Sequence, residues 1–255
     1  NHAAAAQAMV EAYGRTRSPI FKGSAQRALD FIALTRNPYF GWRYGVKPGD
    51  NDTSVTGRMI TVLARARAVN EQALRHGLPA PLQIDEQAFD GARSWIEKMT
   101  DPDFGRIGYI QRGGQPARPM EMIDRFPGDK SEAMTAVGLV TLLLIGEDPR
   151  QSDLLKKGAD LLRATPPVWD IDRGSIDLIY WYYGARAALG IGGTLFDRWQ
   201  PALRKALVAS QRRDTDLCGY EGSWDPLGPW GPDGGRVYAT ALAALTLETL
   251  ARGMR

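Results

Sequence analysis

Cysteine is nearly absent from this chain: Cys218 stands alone, so no internal disulfide framework can hold the fold. Histidine is as scarce, with only His2 and His76, which leaves no basis for a Ser-His-Asp set. No stretch approaches the roughly 18 apolar residues of a membrane-spanning helix. The longest apolar run, Val137–Ile145, is too short. Neither sign of charge dominates: 32 basic residues face 29 acidic ones, and no basic cluster is interleaved with aromatics, which argues against nucleic acid. Alternating β-branched runs are missing, so strands are not expected. A phosphate-cradling glycine loop is missing too. Gly190-Ile191-Gly192-Gly193 falls at the end of a helical pattern and reads as a C-cap turn.

What is present is helix. An apolar fraction of 44% supports a sizeable core. Five stretches share a short polar or Gly-rich lead followed by a small-residue-rich apolar helix: Asn1–Tyr13, Asp52–Ala68, Ser131–Ile145, Ser175–Leu189 and Gly235–Ala251. Helices apolar nearly all round are expected to be buried on most sides. Between them lie four amphipathic helices, about Ser24–Leu34, Asp85–Met99, Ser152–Ala164 and Phe196–Ser210. Regular alternation of buried and surface helices predicts a helical repeat array. Gly14 is the expected stop of the first helix, Asp50 or Asp52 the cap of the third, and His76–Gln83 a linker. The chain opens without Met inside a helical pattern and reads as a single domain, 1–255, cut from a longer protein. An export segment or anchor would lie upstream, and the compartment stays open.

The outer helices lead into similar turns. One reaches Asn37-Pro38-Tyr39-Phe40-Gly41-Trp42, with Phe31 near its end. Another reaches Asp101-Pro102-Asp103-Phe104-Gly105, with Trp95 near its end. The last runs on to Gly222-Ser223-Trp224. These look like one module copied.

Here the chain resembles a known group. Gln-x-x-x-Gly-x-Trp after an outer helix is the repeat signature of squalene-hopene and oxidosqualene cyclases. Arg36, Phe40 and Trp42 occupy its three positions, so only the tryptophan survives. The turns are also similar to those of protein prenyltransferase β-subunits. Gly222-Ser223-Trp224-Asp225-Pro226 followed by Gly234-Gly235-Arg236-Val237-Tyr238-Ala239-Thr240 resembles the end of cyclase-like domains in bacterial proteins of planctomycete type. Those domains carry prenyltransferase and squalene-oxidase repeats. The resemblance implies an all-α fold, an (α/α) toroid in which inner helices ring a central cavity and outer helices wrap them. One hairpin would be incomplete, its outer helix preceding Asn1.

The resemblance also supplies candidate chemistry. Gly49-Asp50-Asn51-Asp52-Thr53-Ser54 looks like a decayed cyclase acid motif, Asp-x-Asp-Asp-Thr-Ala, and Asn51 falls where the family's proton donor stands. A carboxamide cannot protonate an alkene. Asp52 and Thr53 then cap a helix or face the cavity. Asp216-Leu217-Cys218 has the Asp-x-Cys spacing by which prenyltransferases bind zinc, but its third ligand would have to be His2, and no metal or cofactor is expected. Cys218-Gly219-Tyr220-Glu221 is not the thioester motif found on related toroids. Tyr180-Trp181-Tyr182-Tyr183 puts four rings in one helical turn, for core packing or for an aromatic cavity wall. In a toroid the starts of the inner helices share one face, so His2, Asp52, Asp177 and Arg236, with Trp181, Trp224 and Tyr238, form the expected ligand site, and Asp52 is expected to pair with Arg236. The reading is a non-catalytic module binding an isoprenoid or peptide ligand in the central cavity. The alternative is a diverged terpene cyclase or prenyltransferase-like enzyme.

Overall fold

A computed structural model describes residues 2–213 and 219–253. Among them the regular structure is helical, with nine α-helices, two single 3-10 turns and no strand beyond an isolated bridge between Thr100 and Ile107. The helices are α1 (His2–Thr16), α2 (Pro19–Thr35), α3 (Thr53–Arg75), α4 (Gln87–Met99), α5 (Ala133–Ile145), α6 (Asp153–Ala164), α7 (Leu178–Ile191), α8 (Gly193–Ser210) and α9 (Gly231–Gly253). All nine expected helices are present. None of the described helices is long and apolar enough to cross a membrane.

Contacts divide the chain into two compact units. The first holds residues 1–99 with 144–147, the second 100–143 with 148–255. In the first, α1 packs on α2 and α3, and α3 on α4. Val10, Leu29, Ile32, Trp42, Ile60 and Leu63 form the centre of its core, and Leu144 and Ile145 pack against it. In the second, α7 packs on α8 and α9, and α6 on α7 and α8.

Burial sorts the five small-residue helices into two kinds. Ala133–Leu142 of α5 are buried without interruption, and at about 100° per residue that covers every face. Met59–Leu63 of α3 and Tyr183–Ala185 of α7 belong to the same kind. In α1, by contrast, only Ala6, Val10 and Tyr13 are buried. In α9 only Gly231, Ala239, Ala243, Thr246 and Leu250 are, while Val237 stands 84% exposed. Burial on most sides was expected of both helices, and it fails there because a helix is buried only as far as it has neighbours. Alanine-rich faces lose little by facing water, since the effect scales with apolar area.

Several boundaries also move: α2 begins at Pro19, α8 at Gly193 and α9 at Gly231, each ahead of its expected start. Gly14 does not stop α1, which runs two residues further to a left-handed Arg17 at φ 56°. Gly14 instead lets α1 approach Val69, whose Cγ2 would lie 2.7 Å from an added Cβ. Helix α3 continues seven residues past Ala68. Its buried Asn70 holds the following loop in place, donating to Leu82 O (2.7 Å) and accepting from Leu82 N (3.0 Å). The glycine turn after α7 behaves as expected: Gly192, at φ 74°, donates its N–H to Ala188 O at 2.8 Å and starts α8.

Candidate functional site

The turn after α2 is built on Trp42. Its indole N–H donates to Ile32 O at 2.8 Å, its backbone N–H donates to Thr56 Oγ1 at 3.1 Å, and its carbonyl accepts from Asp52 N at 2.9 Å. The loop between is closed by two asparagines. Asn51 Oδ1 accepts from Gly41 N (3.0 Å) and from the Asn37 amide (3.2 Å), and Asn37 Oδ1 accepts from Gly49 N (3.0 Å). Asn51 therefore spends its oxygen on loop closure.

Asp52, rather than Asp50, caps α3. Its Oδ1 accepts from Val55 N at 2.7 Å and from the Ser54 hydroxyl at 2.8 Å. Such a cap contributes about 1 kcal/mol. The residue is wholly buried and its Oδ2 has no partner. Burial pushes its carboxyl above the usual carboxylate value, against the hydrogen bonds from Val55 and Ser54.

The same threonine link recurs twice in the second unit. Ile107 N donates to Thr135 Oγ1 at 3.2 Å, and Trp224 N donates to Thr240 Oγ1 at 3.2 Å. Trp224, like Trp42, sends its indole N–H to a carbonyl near the end of the preceding helix, here α8, at Leu207 O (2.8 Å). The aromatics near the ends of α2 and α4 are not equivalent: Phe31 is 41% exposed and stacks on His2, whereas Trp95 is buried and donates to Thr53 Oγ1. The copied element is the turn with its threonine.

Asp177 caps α7, accepting from Tyr180 N at 3.0 Å. Its other oxygen takes the Arg118 guanidinium at 2.7 Å and the Ser131 hydroxyl at 2.8 Å. Both side chains of the ion pair are 5% exposed. Arg118 spends further donors on Phe126 O and Ala117 O, so its charge is buried with its hydrogen bonds made. Such a pair is sensitive to loss of one partner, at about 3–5 kcal/mol. Arg118 was not among the expected residues, since nothing in its local sequence marks it.

Arg236 takes Asp225 as its carboxylate, at 2.5 Å, in place of the expected Asp52. It also donates to Ser223 Oγ at 2.9 Å and lies 4.3 Å over the Tyr220 ring. Arg212 meets the other oxygen of Asp225 at 3.2 Å. Burial alone would raise the Asp225 carboxyl, but the hydrogen bonds and charges of Arg236 and Arg212 hold it below the usual value.

Asp225 lies at the edge of a cleft of about 680 Å³ in the second unit. Its walls are Pro166–Trp169 and Ile171 from the loop before α7. Its floor is the Ala202, Ala206 and Ala209 face of α8, and Leu227 closes it beside Asp225. The volume is within the range of about 300–1,000 Å³ common to small-ligand sites. Trp169 lies against the buried Trp181 at 5.8 Å between ring centroids. Among the expected residues, Trp181, Arg236 and Trp224 therefore stand directly behind this cleft: one backs Trp169, one holds Asp225, and one anchors the segment that carries it. The lining residues themselves, Trp169, Lys205 and the α8 alanines, were not expected. They meet through folding, and no local pattern sets them apart.

The remaining expected residues go elsewhere. His2 joins α1 to α2, its Nε2 3.1 Å from Ala28 O and its ring 4.6 Å from that of Phe31. Tyr238 is half-buried in α9. The Asp216–Cys218 pair lies outside the described residues. Among the described residues no three His, Cys, Asp or Glu side chains gather as a metal site. Compared with protein-family models the chain matches none, and no curated protein matches it.

Proposed function

We propose that this chain is a non-catalytic binding module of the α/α-toroid kind, similar to squalene cyclases, and that its ligand-binding surface is the cleft of the second unit. The alternation of inner and outer helices and the three threonine-linked turns support the kinship. The observation that carries the function is the cleft itself. It is mostly apolar, of ligand size, and the only carboxylate among its described lining residues is held by two arginines. Asn51 and Asp52, where the cyclase-like motif places acid chemistry, are bonded into loop closure and a helix cap. An apolar small molecule, isoprenoid or otherwise, or a peptide side chain is the ligand class. Native mass spectrometry of the purified chain tests this. A co-purifying small molecule that is lost in Ala209→Trp, which fills the floor of the cleft, is the expected result. Retention of that molecule in Ala209→Trp would place the ligand elsewhere.

One observation favours a second reading. Asp52 is dry, its carboxyl is shifted toward the protonated form, and one oxygen is unpaired. A dry acid of this kind suits a diverged isoprenoid enzyme. Incubation with polyprenyl substrates, with products followed by mass spectrometry, separates the two. Turnover abolished by Asp52→Asn would establish the enzyme, and unchanged substrate supports the binding module.

A further inference from the structure

The charges around the cleft specify more than an apolar ligand. Among its lining residues only Lys205 and Asp225 are charged. Asp225 is held by both Arg212 and Arg236. Lys205 is exposed and forms no ion pair or hydrogen bond among the described residues. It shares one face of α8 with Ala202, Ala206 and Ala209, at helical spacings of three and four. Among the described residues Lys205 therefore has no counter-ion on this alanine floor, opposite walls of Val168, Trp169 and Ile171. Prolines 166 and 167 carry no N–H, so that wall gives a polar tail few donors.

We propose that the cleft takes a single-chain carboxylate amphiphile, with its tail between the Trp169 wall and the α8 alanines and its carboxylate at Lys205. The inference rests on the cleft being the binding surface and adds the charge and class of its ligand. One unshared ammonium matches one negative charge. A diphosphate head would bring more charge than Lys205 answers. A cationic head would meet Lys205, and like charges are disfavoured.

Three probes with the same tail and different heads test this: octanoate, 1-octanol and octyltrimethylammonium, titrated into the full chain with backbone amide shifts as readout. Octanoate is expected to shift residues 166–171 and 202–210 saturably, and to bind about fivefold more tightly than 1-octanol, the scale of one partly solvated ion pair. Lys205→Ala is expected to bring octanoate to the affinity of 1-octanol for the same variant, and added salt is expected to shrink the wild-type advantage. Equal binding of octanoate and 1-octanol at these residues, or tighter binding of octyltrimethylammonium, overturns the carboxylate assignment and leaves the cleft as the apolar site. An octanoate advantage that survives in Lys205→Ala overturns the role of Lys205. If no octyl probe shifts these residues, the cleft reading fails with it.

Discussion

The turn at Trp42 in the first unit and the turn at Trp224 in the second are made with the same two bonds. In each, an indole N–H reaches back to the preceding helix and a backbone N–H reaches forward to a threonine. Around these bonds the two diverge. Thr56 is wholly buried, and beside it Asp52 and Asn51 are sealed among backbone groups. Thr240 is half-buried, and Asp225 is one-third exposed between two arginines at the edge of an open cleft. One framework thus supports a closed turn, whose polar groups serve the backbone, and an open one, whose polar groups face a ligand-sized space. The partners separate the two carboxylates: Asp225 is held by two arginines, whereas one oxygen of buried Asp52 has no partner.

Removing the shared anchor should have the largest effect and should treat the turns alike. Trp42→Ala and Trp224→Ala each delete a buried indole, and each should lose about 3–5 kcal/mol in urea unfolding. A gap between them wider than about 2 kcal/mol would break the equivalence. The threonines should separate the turns. Thr56→Val strands the Trp42 N–H in a dry site and should cost about 1–3 kcal/mol. In Thr240→Val water can replace the hydroxyl, and the loss should stay within about 1 kcal/mol. Equal losses would mean that the second turn is as closed as the first.

The smallest effects are the most diagnostic, because their pH dependences have opposite signs. Burial raises the folded-state pKa of Asp52, so its contribution is fully present below the ordinary carboxylate value of about 3.9 and is lost as pH rises through the raised pKa. Asp52→Asn, which keeps a capping oxygen, should gain on the wild type as pH rises from 4 to 8. The arginines lower the folded-state pKa of Asp225, so its contribution is present above the ordinary value and fades as pH falls through the lowered one. Asp225→Asn should be the less stable at neutral pH, with the gap closing in acid. Unfolding curves for both variants across pH check the signs. A same-sign trend would contradict the contrast.

Helices were legible in the sequence because period and caps are local. Asp52, Ser152 and Asp177 each mark a helix start, and each does accept from a backbone N–H three residues on. The extra turns of α3 were hidden because nothing in the local pattern shows that the polar Asn70 is buried on the Leu82 backbone. The open faces of α1 and α9 were hidden because composition records which side chains tolerate burial, whereas exposure depends on neighbours. Of the site, the large or charged residues behind the cleft could be read, Trp181 and Arg236 among them. The cleft could not, since its floor is three alanines on a helix that looks like any packing face. Its wall follows two prolines that read simply as a helix stop. Arg118 and its buried partner Asp177 lie 59 residues apart, and no local pattern joins them.

The contrast between the closed and open turns is tested most directly by amide hydrogen exchange across the chain, with and without saturating 1-octanol, a probe that binds whatever the charge of the natural ligand. Slowed exchange at residues 166–171 and 202–210, with residues 37–56 unchanged, is the predicted result. Protection at residues 37–56 and none along the cleft would contradict the account and return the ligand to the Asp52 turn.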